Sequence, residues 1–344
     1  MFRTLASPNI STAKPRVEIM KLIEQNIASE LPICAGIFNH LNTTFDIPIK
    51  YPKLKTTTVS EYLKVGPIEQ KGNKYTFSIP SYNNFWGDMC LYIKSDHEIS
   101  GMRVVEKVEF QLNGDIFASY TYDTYNILSQ DEQSNKHFKK LMNGKEIYHK
   151  IKFWFNDVEP LPSISFPFSQ RFITVYIQDG TIVEDICMYM NAIFTQPEIC
   201  DLFFKPNLST NITKHLTFIE ECKQSDIKLI ACEMPKSRIY IAFRNKDNWS
   251  ELLNLNYTIK LTNYGIDISS NFNNTYICNK LGLSNDNIWV NDFITPITGK
   301  SYIDYTILDS IDIKNIEMIV VVETVERYIY TDGKTELDKV SDDK

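Results

Sequence analysis

From about residue 73 the chain repeats one pattern, a short apolar or alternating run closed by turn residues. KYTFSIP (74–80) alternates strictly, with Tyr75, Phe77 and Ile79 on one face, the period of a half-buried strand. MCLYIK (89–94), KVEFQLN (107–113), KIKFWFN (150–156), RFITVYI (171–177) and DICMYMNAIF (185–194) are further β-rich runs. A helical turn is expected from Pro197 in TQPEICDLFF, and NITKHLTFIEE (211–221) closes this first set. A second set follows in IKLIACE (227–233), RIYIAFR (238–244), NYTIKLTNYGIDI (256–268), NIWVNDFI (287–294), SYIDYTILDSIDI (301–313) and EMIVVVETVERYIY (317–330). Asn113-Gly114, Asp179-Gly180 and Asp332-Gly333 supply turn signals between or after the runs.

The two ends differ. Residues 1–15 are polar with two prolines and read as a flexible arm. Val17, Met20, Ile23, Ile27 and Leu31 then recur at spacings of three and four, which predicts a short helix ended by Pro32. That helix either packs on its own domain or docks on a membrane face or a partner. The tail from Thr335 is charged and expected to be disordered.

Many short strands with little helix predict sandwiches or barrels, and two sets predict two sandwiches in tandem. Nineteen Tyr, twenty Phe and four Trp strengthen the β reading, because aromatic side chains fit a pleated, half-buried surface. The net charge of −7 and the scatter of Lys and Arg argue against direct nucleic-acid binding, which calls for a basic face or arm. The cysteines at 34, 90, 187, 200, 222, 232 and 278 form no CxxC pair, so free, buried thiols in a reducing compartment are expected. Sequons such as those at Asn42, Asn211 and Asn273 arise by chance in an Asn- and Thr-rich chain. No signal peptide opens the sequence and no run has the length of a membrane span.

Catalytic chemistry finds no linear foothold. His40, His97, His137, His149 and His215 are isolated from one another and from Cys, and none has a ligand spacing. No G-x-S-x-G elbow and no phosphate-cradling glycine loop occurs. Glu220 and Glu221 are adjacent, so a strand sends them to opposite faces, and Glu323 and Glu326 read as solvated charge. The aromatic run KIKFWFN reads as a strand buried on both faces, with Phe153 and Phe155 on one side and Trp154 on the other. No catalytic, cofactor-binding or metal-binding residue is assigned, and the chain is not expected to be an enzyme.

Several stretches, in this order, resemble the major capsid proteins of nucleocytoplasmic large DNA viruses, above all the African swine fever virus (asfarvirus-like) group. The strongest is IKFWFNDVEPLPSISFPFSQRFITVYI (151–177), with an F-W-F run, a Leu-Pro linker and an Arg-Phe-Ile-Thr strand. NKYTFSIPSYNNFWGDM (73–89), VEKVEFQLNGDIFASYTYDTYNIL (105–128) and MYMNAIFTQPEICDLFF (188–204) add to it, the second read as a strand leading through Asn-Gly into a Tyr-containing loop. In the second half YIAFRNKDNW (240–249), IKLTNYGIDI (259–268), VNDFITPITGKSYIDYTILDSIDI (290–313) and VVVETVERYIYTDGK (320–334) keep the order. The chain departs from the family pattern at Thr298-Gly299-Lys300-Ser301, and it is shorter, without long insertions between strands.

The resemblance implies an all-β double jelly roll, two tandem eight-stranded β-sandwiches with an N-terminal arm and short helix. Its expected divisions are an arm at 1–56, a first jelly roll at 57–224, a second at 225–335 and a charged tail at 336–344. It further implies a homotrimeric, pseudo-hexagonal capsomer tiling an icosahedral shell, located in the virion and assembled in the host cytoplasm. Expected partners are further copies of itself, minor capsid proteins and an inner viral membrane reached through residues 1–31. A poxvirus-type scaffold, a minor capsid paralogue and a glycan-binding jelly-roll protein are the alternatives. The last requires a concave groove lined by aromatics and carboxylates.

Overall fold

The structure, a computed structural model, describes residues 59–99, 103–130, 144–155, 160–163, 170–197, 208–248, 251–273, 287–331 and 334–337. The expected arm, the helix at 17–31, most of TQPEICDLFF and the Asp332-Gly333 turn lie outside the described residues. The first half contains strands β1 (Val59–Val65), β2 (Glu69–Lys71), β3 (Lys74–Ser78), β4 (Phe85–Lys94), β5 (Val105–Leu112) and β6 (Asp115–Thr121). Helix α1 (Tyr122–Gln130) follows, then β7 (Glu146–Lys150), β8 (Leu161–Pro162), β9 (Arg171–Ile177) and β10 (Asp185–Phe194). The second half contains β11 (Leu208–Glu221), β12 (Ser225–Ile230), β13 (Lys236–Asn245), β14 (Tyr257–Asn263) and β15 (Ile266–Asn273). It ends with β16 (Ile288–Ile297), β17 (Ser301–Ile307), β18 (Ile316–Thr331) and β19 (Lys334–Leu337).

Pairing resolves these strands into four antiparallel sheets. In the first half they are β1-β10-β4-β7 and β2-β3-β9-β5-β6; in the second, β11-β18-β13-β16 and β12-β17-β14-β15. With short β2 and β8 and terminal β19 set aside, each half has eight main strands. Counted in chain order, both halves show the sheet orders 1-8-3-6 and 2-7-4-5. That is the winding of a jelly roll, and it occurs twice in one chain. The duplication lies in the topology.

The strands follow their side-chain patterns. β14 buries Tyr257, Ile259 and Leu261 and turns Thr258, Lys260 and Thr262 outward, as a half-buried strand must. β13 and β18 lack such alternation because both faces are covered. Ile239, Ile241, Phe243, Met318, Val320 and Val322 fill the core of the second roll. Tyr240, Ala242, Ile319 and Val321 lie on the other face, packed with Ile127 of α1. At the predicted Asn113-Gly114 turn both residues take positive φ (54° and 93°), the backbone a tight hairpin between right-twisted strands requires.

Four sequence expectations are corrected. The run at 211–221, grouped with the first set, belongs to the second: β11 pairs with β18 along its length, from Leu208 opposite Tyr330 to Glu221 opposite Glu317. In KIKFWFN only the first residue ends a strand, and the chain turns through 151–155. Consecutive side chains can therefore converge, and the rings of Phe153, Trp154 and Phe155 all lie within 5.9 Å of the Phe110 ring centre. The burial was foreseen but the strand was not. The expected Tyr-containing loop after β6 is helix α1. Finally, the tail does not lose order at Thr335, because β19 pairs with β18, Thr335 opposite Tyr330.

Candidate functional site at the seam between the sandwiches

The most heavily built polar site joins the two rolls. It begins with α1, which follows directly from β6 of the first roll and lies on the second. Asp123 sits in the first turn of α1, where a carboxylate is favoured by the helix dipole. Its Oδ1 accepts from Arg244 Nη1 of β13. Arg244 also donates from Nε and Nη2 to Glu317 Oε2 of β18, at 3.2 and 3.1 Å. The side chains of Arg244 and Asp123 are only 1% and 5% exposed. A guanidinium bridging two carboxylates keeps these buried charges compensated.

Around this triad the seam is closed by smaller contacts. Thr124 of α1 hydrogen-bonds Thr217 of β11, and Ile127 packs with Tyr240, Leu252 and Val290. Phe117 of β6 packs against Tyr328 of β18 with ring centres 4.2 Å apart and planes tilted by 44°. Lys214 of β11 places its ammonium 4.8 Å from the centre of the Tyr328 ring and 2.7 Å from Glu326 Oε2. The Tyr328 hydroxyl donates to the same Glu326 oxygen at 2.7 Å. Burial, followed by that carboxylate, pushes the Tyr328 phenol well up, so it stays a donor. These side chains make the two rolls one unit.

The residues singled out in the sequence are dispersed. His149 is buried in the first roll, its ring 3.7 Å from that of Tyr125 and its Nε2 3.0 Å from the Tyr120 hydroxyl. Burial, helped by Lys152, lowers its pKa to about 3, so it is neutral at physiological pH. His97 Nδ1 lies 2.7 Å from Asp96 Oδ1, and His215 Nε2 lies 3.7 Å from Glu323 Oε2. Burial would raise the Glu323 carboxyl, but the nearby His215 ring and a hydrogen bond from the Ser237 hydroxyl outweigh it and hold it below its usual value. Glu220 meets Lys228 and Glu221 meets Lys246, so the pair shares no partner. Glu326 belongs to the seam. His40 and His137 lie outside the described residues. Among the described residues no three His, Cys, Asp or Glu side chains gather as a metal site. No helix there is long and apolar enough to cross a membrane. Cys90, Cys187, Cys222 and Cys232 are free thiols.

Sequence reasoning missed Arg244, Asp123 and Lys214. A signal existed in RIYIAFR, where Arg244 shares a strand face with Ala242 and Tyr240. An arginine in so apolar a run marks a covered face that must supply a counter-charge.

The outer face of the β1-β10-β4-β7 sheet carries a second feature, a group of tyrosines. Tyr92 lies opposite Tyr148, with ring centres 5.2 Å apart, and 6.5 Å from Tyr189. Tyr62, 60% exposed, donates to both oxygens of Asp88 at 2.9 Å. Burial raises the hydroxyls of Tyr92 and Tyr62 to about 12, Asp88 adding to the latter. These rings combine apolar bodies with persistent donors, the chemistry enriched in protein interfaces.

The two equivalent windings and their seam define the class: this is a double jelly-roll protein. The fold is that of viral major capsid proteins. The capsid protein in a quasi-atomic model of the PBCV-1 virus capsid superposes with a TM-score of 0.69 at 12% identity, over 84% of this chain and 98% of that one. The Faustovirus major capsid protein gives 0.66 at 13% identity, over 86% and 97%. A chain of the Sputnik virophage gives 0.56 at 7% identity, over 85% and 91%. No protein-family model matches the sequence, and no curated protein matches it. At these identities the likeness is one of fold.

Proposed function

We propose that this chain is a structural, non-enzymatic protein of a viral capsid. The observation that carries the reading is the double winding, its two halves joined at the Arg244 seam. Two rolls locked in one chain supply two of six similar units, so three copies close a pseudo-hexagonal ring that tiles a shell. Closed rotational symmetry of this kind stops growth at a defined capsomer. The tyrosine face of the first roll offers side chains suited to contacts between copies. The shell is icosahedral, the location is the virion, and assembly takes place in the host cytoplasm.

The arm comprises residues 1–56 and the first roll starts at 57. We divide the rolls between Phe194 and Leu208 instead of after residue 224, since β11 holds the first-strand place of the second roll. Within the fold class, the sequence likeness at 151–177, kept in the same order by the other matching stretches, supports an asfarvirus-like capsid protein. The partners are copies of the chain itself, minor capsid proteins and an inner membrane approached by residues 1–31; nucleic acid is not a direct partner. Mass spectrometry of purified mature particles tests the role. A principal shell protein is abundant in them. Confinement to immature particles contradicts the reading and favours a transient scaffold.

A further inference from the structure

Three connections of the second roll meet at one end: the loop from β12 to β13, the β14–β15 hairpin and the loop from β16 to β17. Pairing brings them together, since Ile230 and Asn263 both lie opposite Ser301 and Lys236 lies opposite Ile297. Between them opens a cleft of about 770 Å³, lined by Glu233, Tyr264, Thr298, Gly299, Lys300 and Tyr302. Thr298, Gly299 and Lys300 of this wall come from the short connection between β16 and β17.

The cleft is firmly built. Beneath it Lys236 is fully buried and donates to the carbonyls of Cys232, at 2.8 Å, and Gly299. Asn263 donates to the Thr298 carbonyl at 3.1 Å and accepts from Ser301 at 3.2 Å. An ammonium and two polar side chains thus fix the backbone of a surface loop. Tyr264 stands in the left-handed region at φ 50°, where a bulky side chain is disfavoured, yet its side chain is held out to solvent, 72% exposed. Gly299, at φ 80°, lets the phenol lie across its backbone; a methyl group there would overlap the ring. Tyr302 is 40% exposed. Its outward position on β17 adds a second open ring.

Open aromatic surfaces beside a carboxylate, an ammonium and a threonine hydroxyl do not suit a lipid or an apolar cofactor, which calls for an enclosed apolar pocket. Glu233 opposes anionic ligands. The set suits a molecule with apolar ring faces and many hydroxyls, which donate to a carboxylate and accept from an ammonium. We propose that this cleft binds a neutral short oligosaccharide, with sugar rings against Tyr264 and Tyr302 and vicinal hydroxyls donating to Glu233. This site is independent of the capsid reading and holds whatever the chain assembles into.

Saturation-transfer NMR of the full chain, in its native assembly state, against a panel of neutral and acidic oligosaccharides tests it. Transfer to the ring protons of at least one neutral member is expected, reduced at least tenfold in Tyr264→Ala and Tyr302→Ala. Glu233→Gln weakens it, and Gly299→Ala does so by displacing the Tyr264 ring. Circular dichroism melts of the Tyr264, Tyr302 and Glu233 variants should match the parent, and Ile182→Ala, an exposed position on the other roll, should bind as the parent does. Absence of transfer from every neutral member overturns the proposal. So does transfer that persists in the Tyr264→Ala/Tyr302→Ala double variant, or binding confined to acidic members.

Discussion

Arg244 shows how one side chain can hold two domains together. Its guanidinium is buried between carboxylates from two different rolls, Asp123 from the first and Glu317 from the second. Replacing it with alanine leaves Asp123 without its counter-charge in a buried site, a loss of about 3–5 kcal/mol. Arg244→Lys should recover only part of this, because an ammonium cannot reproduce the fork that reaches both partners. Urea unfolding of both variants checks this, and a loss below about 1 kcal/mol for Arg244→Ala contradicts it. His149 makes a prediction of a different kind. The unfolded chain takes up a proton there below about pH 6.5, while the folded chain stays neutral until about pH 3. Its contribution is therefore complete above pH 6.5 and declines as the pH falls towards 3. Urea midpoints should be lower at pH 5 than at pH 7, and His149→Gln should flatten that difference. An unchanged pH slope in the variant would show that His149 is not the buried neutral group described. At this scale the sequence was legible in part. Asn113-Gly114 announces its own hairpin, but the role of Arg244 depends on Asp123, distant in sequence and near only after folding.

Among the elements, α1 has the largest consequence for its size. Its sequence, YDTYNILSQ, is rich in Tyr, Thr, Asp and Asn, which are weak helix formers, so local propensity gives little warning of it. Tertiary contacts decide the matter: Asp123 is held by Arg244, and Ile127 is fully buried against the second roll. Ile127→Ala should cost about 2–5 kcal/mol. Because that loss falls on the seam, it should also split a single thermal transition into two. Calorimetry reads both effects, and a variant that melts like the parent contradicts this role for α1. The same logic explains the misreading of 151–155. An F-W-F run looks like a strand by composition, and only the packing around Phe110 shows that a turn buries it better. Strand β11 was legible as a strand but not in its membership. Its partner β18 lies about a hundred residues away, and no periodicity within 211–221 encodes which sheet completes it.

At the scale of the whole molecule, the repeated 1-8-3-6 and 2-7-4-5 orders indicate two copies of one architecture without a visible sequence repeat. Strand counting recovers the tandem arrangement because alternation must survive wherever one face is buried. It cannot recover the winding, which depends on pairing between first and last strands of each roll. The seam joins the two rolls through buried ion pairs. In the proposed capsomer three such chains close a ring. Light scattering on the purified chain, with negative-stain images of the same fraction, tests it most directly. The account predicts a mass of about 120 kDa, three times the 40.0 kDa of one chain, and hexagonal outlines. A stable 40 kDa monomer, at concentrations where shells of this kind assemble, would contradict it.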